Sequence, residues 1–229
     1  MITICVIFKG IIILSFFFVL IGAINFALCL PPFCMWWLSP LLFLPLWFTF
    51  EKSKRYRTNF INGFLYGLFI YIFLFYWIPA SISELTKLNM FFSILICGGG
   101  FCLIGILYGF LFLVIKFLWN KLPWLIPFIL PGFEWLCIPV FPISLGYSWR
   151  ASLAGVQAAD IGGVYFLSSL CCLYSYLIFL GIQNISLRKW YWASALILLF
   201  LQYSYGCFRI YSIQKTPAQS QIKISILQT

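Results

Sequence analysis

Acidic side chains are the scarcest chemical groups in this sequence, and one of them lies where a charge is costly. The 229 residues include four Asp and Glu residues and no His. Glu134 stands between Phe133 and Trp135 inside a long apolar stretch, whereas Asp160 lies near the end of another. A carboxylate at membrane depth costs about 2.5 to 3.5 kcal/mol on insertion scales. Glu134 therefore indicates either a polar pocket or a hydrogen bond that joins two helices.

A complete catalytic site is not apparent in the sequence. Covalent catalysis needs a nucleophile beside a base, and His is the side chain that most often serves as the base. With no His and four acids, no Ser or Cys is paired with a recognisable base. Nine cysteines are present without a clustered Cys-x-x-Cys motif, which argues against a zinc or haem site. No metal and no cofactor are expected.

A run of glycines marks one apolar stretch. Gly98, Gly99 and Gly100 are followed by Gly105 and Gly109. The lysine and serine of a phosphate-binding loop do not follow at the required spacing, and no strand precedes the run. Small residues at helical spacing let neighbouring backbones approach closely in a membrane. The run therefore predicts a helix-packing face.

The composition is that of a membrane protein. Hydrophobic residues make up 64% of the chain, charged residues 8%, and the mean hydropathy is +1.07. This leaves too little polar surface to cover a soluble globule. The net charge of +10 would suggest nucleic acid as a partner of a soluble protein, but here we interpret it as an orientation signal. We expect an all-α integral membrane protein with no nucleic-acid partner.

Seven apolar stretches are long enough to be spanning helices, which predicts a bundle of about seven transmembrane helices. They cover residues 10–30, 33–50, 60–79, 91–115, 122–142, 156–182 and 190–207. Prolines interrupt the second and the fifth, so these two are expected to be kinked or re-entrant. Tryptophans near the ends of the stretches, including Trp47, Trp77 and Trp149, are typical of an interfacial aromatic belt.

The distribution of basic residues predicts the orientation. If the amino terminus is cytoplasmic and all seven stretches cross, most Lys and Arg residues fall on the cytoplasmic side, as they do in known membrane proteins. The inner set is Lys9, Lys52, Lys54, Arg55, Arg57, Lys116, Lys121, Arg188 and Lys189, and the outer set is Lys87, Arg150, Arg209, Lys215 and Lys223. An odd number of spans leaves the carboxyl end outside.

The composition changes near the carboxyl end. Residues 214–221 are polar and have the character of a linker. Apolar and polar residues then alternate from Ile222 to Ile226, which is typical of a strand with one buried face, although a frayed hydrophobic tail is the alternative. A lone strand lacks a hydrogen-bonding partner. We therefore expect a transmembrane helical domain over 1–213 and the first strand of a missing soluble domain over 222–229.

Short motifs follow one another in a definite order along the chain. They are Leu30-Pro31-Pro32-Phe33, Trp36-Trp37-Leu38, Pro45-Leu46-Trp47, Asn62-Gly63-Phe64-Leu65-Tyr66-Gly67, Tyr76-Trp77-Ile78, Ser81-Ile82, Glu134, Gly146-Tyr147-Ser148, Ile161-Gly162-Gly163-Val164-Tyr165-Phe166-Leu167 and Lys223-Ile224-Ser225-Ile226-Leu227-Gln228. Each motif is short, but together they resemble the amino-terminal membrane half of bacterial apolipoprotein N-acyltransferase. The last motif is similar to the first strand of that family's nitrilase-like, or carbon-nitrogen hydrolase, domain.

The chain also departs from the family. Cys137 stands where the family's Glu-x-x-Arg element has its Arg, and Phe141-Pro142-Ile143 lacks the usual tryptophan after the proline. The family's catalytic Glu, Lys and Cys belong to the nitrilase-like domain and are expected beyond Thr229. The resemblance thus implies that the chain carries no catalytic residue and is inactive by itself.

The activity implied by the resemblance is lipoprotein biosynthesis in the bacterial inner membrane. The complete enzyme would take an acyl chain from a phospholipid onto its cysteine as a thioester, and pass it to the amino group of a diacylglyceryl apolipoprotein. The implied partners are the phospholipid acyl donor, the apolipoprotein acceptor, membrane lipids and, as an alternative source of the catalytic domain, a separate nitrilase-like chain. The carboxyl end would be periplasmic.

Four residues are candidates for lining a lipid-accessible substrate cavity in the membrane half. Trp77, Ser81, Glu134 and Tyr147 each place a polar group near the end of a span or inside one. The competing function is a transporter or lipid-handling membrane protein without covalent chemistry, in which the broken stretches and Glu134 form the substrate path. The sequence lacks the paired repeats and multiple intramembrane charges of many such proteins. A degraded, inactive relative is the third possibility.

Overall fold

The computed structural model describes residues 2–136 and 143–215, with side chains from residue 13 onward. Regular structure in these residues is entirely helical, which confirms the all-α prediction. The α-helices are α1 (Ile2–Cys29), α2 (Leu44–Lys52), α3 (Tyr56–Phe75), α4 (Ile78–Thr86), α5 (Met90–Trp119), α6 (Ile126–Leu136), α7 (Leu153–Val156), α8 (Ala159–Gln183) and α9 (Arg188–Lys215). Turns of 3₁₀ helix cover Trp36–Leu41, Pro123–Leu125, Leu145–Trp149 and Ile185–Leu187. The predicted strand over 222–229 lies outside the described residues.

Four helices, α3, α5, α8 and α9, are long and apolar enough to cross a bilayer. The described side chains of α1 form a shorter apolar segment, Ile13–Cys29. Large apolar side chains on these helices are exposed, as lipid-facing side chains are, and Phe200 and Phe208 of α9 are examples. The structure thus supports a membrane bundle, but seven full-length spanning helices are not established.

The two proline-rich stretches form broken helices. The second stretch divides into the 3₁₀ turn Trp36–Leu41, which contains Pro40, and α2, in which Pro45 lies in the first turn. Proline is tolerated there because the first amides of a helix have no intrahelical acceptor. In the described part of the fifth stretch, the 3₁₀ turn Pro123–Leu125 leads into α6, which contains Pro131. Prolines thus lie at the start of helical segments or inside them in both stretches.

Glycines allow α3 and α5 to pack closely, and this pair makes the most extensive contact in the bundle. A β-carbon at Gly105 would lie 2.9 Å from the backbone oxygen of Phe64, and one at Gly109 would lie 2.7 Å from the ring of Phe60. A β-carbon at Gly99 would meet nothing within 4 Å. The glycine-rich face of α5 is thus a packing face at Gly105 and Gly109, whereas the triple glycine is open.

Aromatic side chains fill the main core between α2, α3, α5 and α8. Trp47 is fully buried, its ring is 5.0 Å from that of Tyr176, and its indole donates a hydrogen bond to Ser175 Oγ at 3.0 Å. Trp149 is fully buried in a second cluster on α8. The interpretation as an interfacial belt is therefore wrong for these two tryptophans, because their rings pack inside the protein.

The helix α8 breaks near its beginning. Gly162 and Gly163 have non-helical backbone angles, and Gly163 has a φ of 69°, a conformation that favours glycine. Near the same end Asp160 forms an exposed ion pair with Arg209 of α9. The carboxylate of Asp160 thus holds two helix ends together at the surface.

Candidate functional site

The carboxylate of Glu134 is the centre of a polar network inside the bundle. Oε1 accepts a hydrogen bond from the backbone amide of Leu145 at 2.8 Å. Oε2 accepts from Ser144 Oγ at 2.8 Å and from Ser168 Oγ at 2.6 Å. The carboxylate belongs to α6, the amide to the 3₁₀ turn Leu145–Trp149 and Ser168 to α8. Glu134 therefore joins three elements.

The two serines extend the network to the backbone of the turn. Ser144 caps the turn by accepting from the amide of Gly146 at 3.3 Å, and Ser168 Oγ accepts from the same amide at 2.9 Å. A β-carbon at Gly146 would collide with the backbone oxygen of Val164, beside the break in α8. Gly146 is thus required for the close approach of the turn to α8, which brings its amide within reach of Ser168.

Tyr147 lies on the outer side of this turn. Its neighbours Ser148 and Trp149 are fully buried, whereas Tyr147 is 40% exposed. The indole of Trp149 donates to Cys171 Sγ at 3.1 Å, so that α8 also holds the end of the turn. The network therefore fixes the backbone of the turn while it presents one tyrosine to the surroundings of the bundle.

A narrow crevice reaches Glu134 from the α3 and α5 side. Tyr71, Tyr108 and Phe133 are among the residues that line it. The space that is wide enough for water is about 20 Å³, which has room for about one molecule. The crevice is too narrow in this conformation for a lipid headgroup, so it is an access route to the carboxylate and no binding pocket by itself.

Trp77 and Ser81 occupy a different surface. Trp77 is 48% exposed, precedes α4 and donates its indole hydrogen to the Leu74 carbonyl at 3.1 Å. Ser81 lies one turn further along α4, which packs on α5. Within the described residues no hydrogen bond or ring contact joins this pair to Glu134 or Tyr147. Tyr71 of the crevice lies on α3, six residues before Trp77, which follows the end of that helix.

The chemistry available at Glu134 follows from its partners. A carboxylate that accepts three hydrogen bonds from fixed donors is well suited to hold the turn in place. In residues 2–136 and 143–215 no three His, Cys, Asp or Glu side chains come together as a metal site would require. The geometry thus supports a role for Glu134 in positioning the turn.

Sequence reasoning missed both serine partners of Glu134. Ser144 precedes a glycine-containing turn, and a serine at that place is a recognisable capping signal. Ser168 stands in the middle of an apolar helix with no local pattern to identify it. The crevice residues Tyr71 and Tyr108 were not identified either, because nothing in the sequence distinguishes them from the many other aromatic residues.

Comparison with known protein families supports the resemblance. A comparison with curated proteins found no match. The family model described as the apolipoprotein N-acyltransferase N-terminal domain matches residues 22–177, which is more than half of the chain. The match contains Trp77, Ser81, Glu134 and the turn that carries Tyr147. The chain therefore belongs to the apolipoprotein N-acyltransferase N-terminal domain family.

Proposed function

We propose that this membrane domain holds the two lipid substrates of a lipoprotein N-acyltransferase while a nitrilase-like domain moves the acyl chain. The phospholipid donor and the diacylglyceryl apolipoprotein acceptor both reside in the bilayer, so both have access to the sides of the bundle. The domain would hold their reacting ends at one membrane surface. Its own contribution would be proximity and orientation, which supply much of the rate enhancement when two reactants must meet.

The observation that carries this proposal is the clamped turn. Three hydrogen bonds of 2.8 to 3.3 Å hold the Leu145 and Gly146 amides to Glu134, Ser144 and Ser168. Two more, of 2.8 and 2.6 Å, join the two serines to the Glu134 carboxylate. A rigid turn with one exposed tyrosine is suited to contact a lipid headgroup, because Tyr combines an apolar ring with a polar hydroxyl. We assign Tyr147 to this contact and Glu134 to positioning the turn.

Trp77 and Ser81 would line the second wall of the same lipid-accessible region. Both follow the end of α3, and Trp77 leaves half of its indole surface uncovered. An exposed indole beside a hydroxyl is typical of residues at the boundary between hydrocarbon and headgroups. The crevice is lined by Tyr71, which precedes Trp77 by six residues, and by Glu134, which holds the turn that carries Tyr147. An opening of this crevice would join the two walls into one cavity.

The location that accompanies this function is the bacterial inner membrane, with the amino terminus in the cytoplasm. The basic residues Lys52, Lys54, Arg55 and Arg57 support this orientation, because they cluster where α2 ends and α3 begins, at one end of the bundle. The turn Leu145–Trp149 would then lie towards the periplasm. A transport path is less well supported, because protein donors already occupy Glu134 and the crevice beside it is narrow.

Lipid capture by the chain tests the proposal without requiring turnover. The purified chain is placed in phospholipid nanodiscs with a diacylglyceryl-cysteine peptide that carries a photoreactive group at its amino end. After illumination, mass spectrometry locates the attachment sites. We expect attachment at the turn Leu145–Trp149 and beside Trp77, and we expect Tyr147→Ala and Trp77→Ala each to reduce the captured fraction.

Trp190→Ala is the matched control, because Trp190 is 64% exposed and begins α9 near the opposite end of α8. It removes an exposed aromatic ring without touching either proposed wall. Capture that falls equally in all three variants would show only that aromatic rings attract lipid. Capture spread evenly over the bundle would refute the assigned site.

A further inference from the structure

A second cavity opens at the other end of the bundle, where α2, α5 and α8 end. It is a depression that opens widely to the surroundings, and about 630 Å³ of the space in it is accessible to water. The polar and aromatic residues that line it include Glu51, Lys54, Lys116, Trp119, Tyr176 and Gln183. The lining residues of α8, from Tyr176 to Gln183, lie 8 to 15 residues beyond Ser168, which is about 12 to 22 Å along the helix from the Glu134 network. The cavity is therefore a distinct feature of the domain.

Lys116 is the cation at the inner wall of the cavity. The sequence placed it in a cytoplasmic loop, but it lies in the last turn of α5 and is only 5% exposed. Its ammonium donates one hydrogen bond, 2.8 Å long, to the backbone oxygen of Phe50 in α2. An ammonium has three N–H donors. The Phe50 carbonyl thus fixes the side chain with one of these donors, and Lys116 contributes its positive charge to the cavity that it lines.

The rim of the cavity carries charges of both signs. Lys54 is exposed and supplies a second cation. Glu51 accepts a hydrogen bond from Gln183 Nε2 at 2.8 Å, which holds the carboxylate at the mouth. Trp119 and Tyr176 provide amphipathic rings, and Phe179 lines the apolar side. A ligand that matched this lining would carry an anion, a cation and an apolar continuation.

We propose that this cavity binds the headgroup of a phospholipid with a primary ammonium group. The lipid phosphate would lie against Lys54 and Lys116, and the ammonium would lie against Glu51. The acyl chains would leave along the apolar side. The aromatic and aliphatic lining residues alone would accept any lipid. The charges of opposite sign are therefore what select this class of headgroup.

Native mass spectrometry of the full chain in detergent tests the proposal. The probes are dioleoyl phosphatidylethanolamine, dioleoyl phosphatidylcholine, dioleoylglycerol and inorganic phosphate at equal concentrations. We expect phosphatidylethanolamine to be retained most, because the quaternary ammonium of choline cannot donate a hydrogen bond to Glu51. We expect Lys54→Gln to reduce its retention about threefold, the effect of one exposed ion pair. Glu51→Gln should remove the preference over phosphatidylcholine.

The matched control is Lys121→Gln, which removes the same charge from the same end of the bundle. Lys121 is exposed beside the ring of Phe117 and is not part of the cavity lining. Lys116 is left intact because its hydrogen bond holds α2. Unchanged retention in Lys121→Gln supports the proposal, whereas an equal loss there would refute it in favour of general electrostatic attraction. Equal retention of dioleoylglycerol would also refute it, and displacement by inorganic phosphate would assign the site to the free anion.

Discussion

Replacing Glu134 by alanine should loosen three elements at once. The change removes the acceptor of the Leu145 amide and of both serine hydroxyls. Hydrogen bonds between membrane helices contribute about 0.6 kcal/mol on average and at most about 1.7 kcal/mol. An amide left without an acceptor costs about 1 to 3 kcal/mol. We therefore expect the free energy of unfolding to fall by about 2 to 4 kcal/mol, because the serines can pair with each other whereas the amide cannot.

Two measurements detect this loss of unfolding free energy. Helicity is recorded by circular dichroism as sodium dodecyl sulfate is titrated into dodecyl maltoside micelles, and the midpoint of heat unfolding is recorded in the same detergent. For a chain of this length, about 2 to 4 °C of midpoint corresponds to 1 kcal/mol, so a decrease of about 4 to 16 °C is expected. Glu84→Ala is the control, because Glu84 is an exposed acid on α4. It should change the midpoint by less than about 2 °C.

Glu134→Gln separates the shape of the side chain from its charge. The amide oxygen of glutamine can still accept from Leu145, and its amino group can donate to serine oxygens that rotate to accept. We expect this variant to retain more than half of the stability that alanine loses. A loss in Glu134→Ala no larger than that in Glu84→Ala would refute the reasoning, and so would a glutamine variant as unstable as the alanine variant.

Two further predictions concern the packing that holds the bundle together. Gly105→Ala should destabilise the chain by about 1 to 3 kcal/mol, because its β-carbon would lie 2.9 Å from a backbone oxygen of α3. Gly99→Ala, whose β-carbon meets nothing within 4 Å, should be neutral or stabilising by up to about 1 kcal/mol in the same detergent titration; equal effects of the two would contradict the packing geometry. Trp47→Phe should cost about 1 to 3 kcal/mol, because it removes the hydrogen bond to Ser175 and leaves a cavity in the core. An unchanged titration midpoint for that variant would show that the indole hydrogen bond contributes nothing.

The helical architecture could be predicted because composition and stretch length depend only on the local sequence. The same is true of the interrupted stretches, since Pro40 and Pro45 act on the backbone next to them. The network around Glu134 could not be predicted in detail. Its partners Ser144 and Ser168 lie 10 and 34 residues away along the chain, and only the packing of α6 against α8 brings them together. Sequence reasoning therefore identified the costly charge but not the groups that satisfy it.

The buried positions of Trp47 and Lys116 illustrate a second limit. A tryptophan near the end of an apolar stretch suits both an interface and a core, and the sequence does not distinguish the two. The sequence was likewise compatible with Lys116 in a cytoplasmic loop, whereas the structure places it in the last turn of α5. For both residues, the hydrogen-bond partner determines where the side chain lies. Ser175 accepts the indole hydrogen, and the Phe50 carbonyl accepts from the ammonium.

The rare polar side chains of this bundle share one physical task. Backbone groups in a membrane must find partners within the protein, and the ends of short or broken helices leave several without one. Polar side chains from longer helices or from the proline-containing α6 supply these partners. The pairs are Lys116 with the Phe50 carbonyl, Gln202 with the Gly155 carbonyl and Glu134 with the Leu145 amide. In each of the interrupted elements α2, α7 and the turn Leu145–Trp149, a polar side chain of another element therefore satisfies at least one backbone group. Replacing that side chain should loosen that element before it disturbs the long helices.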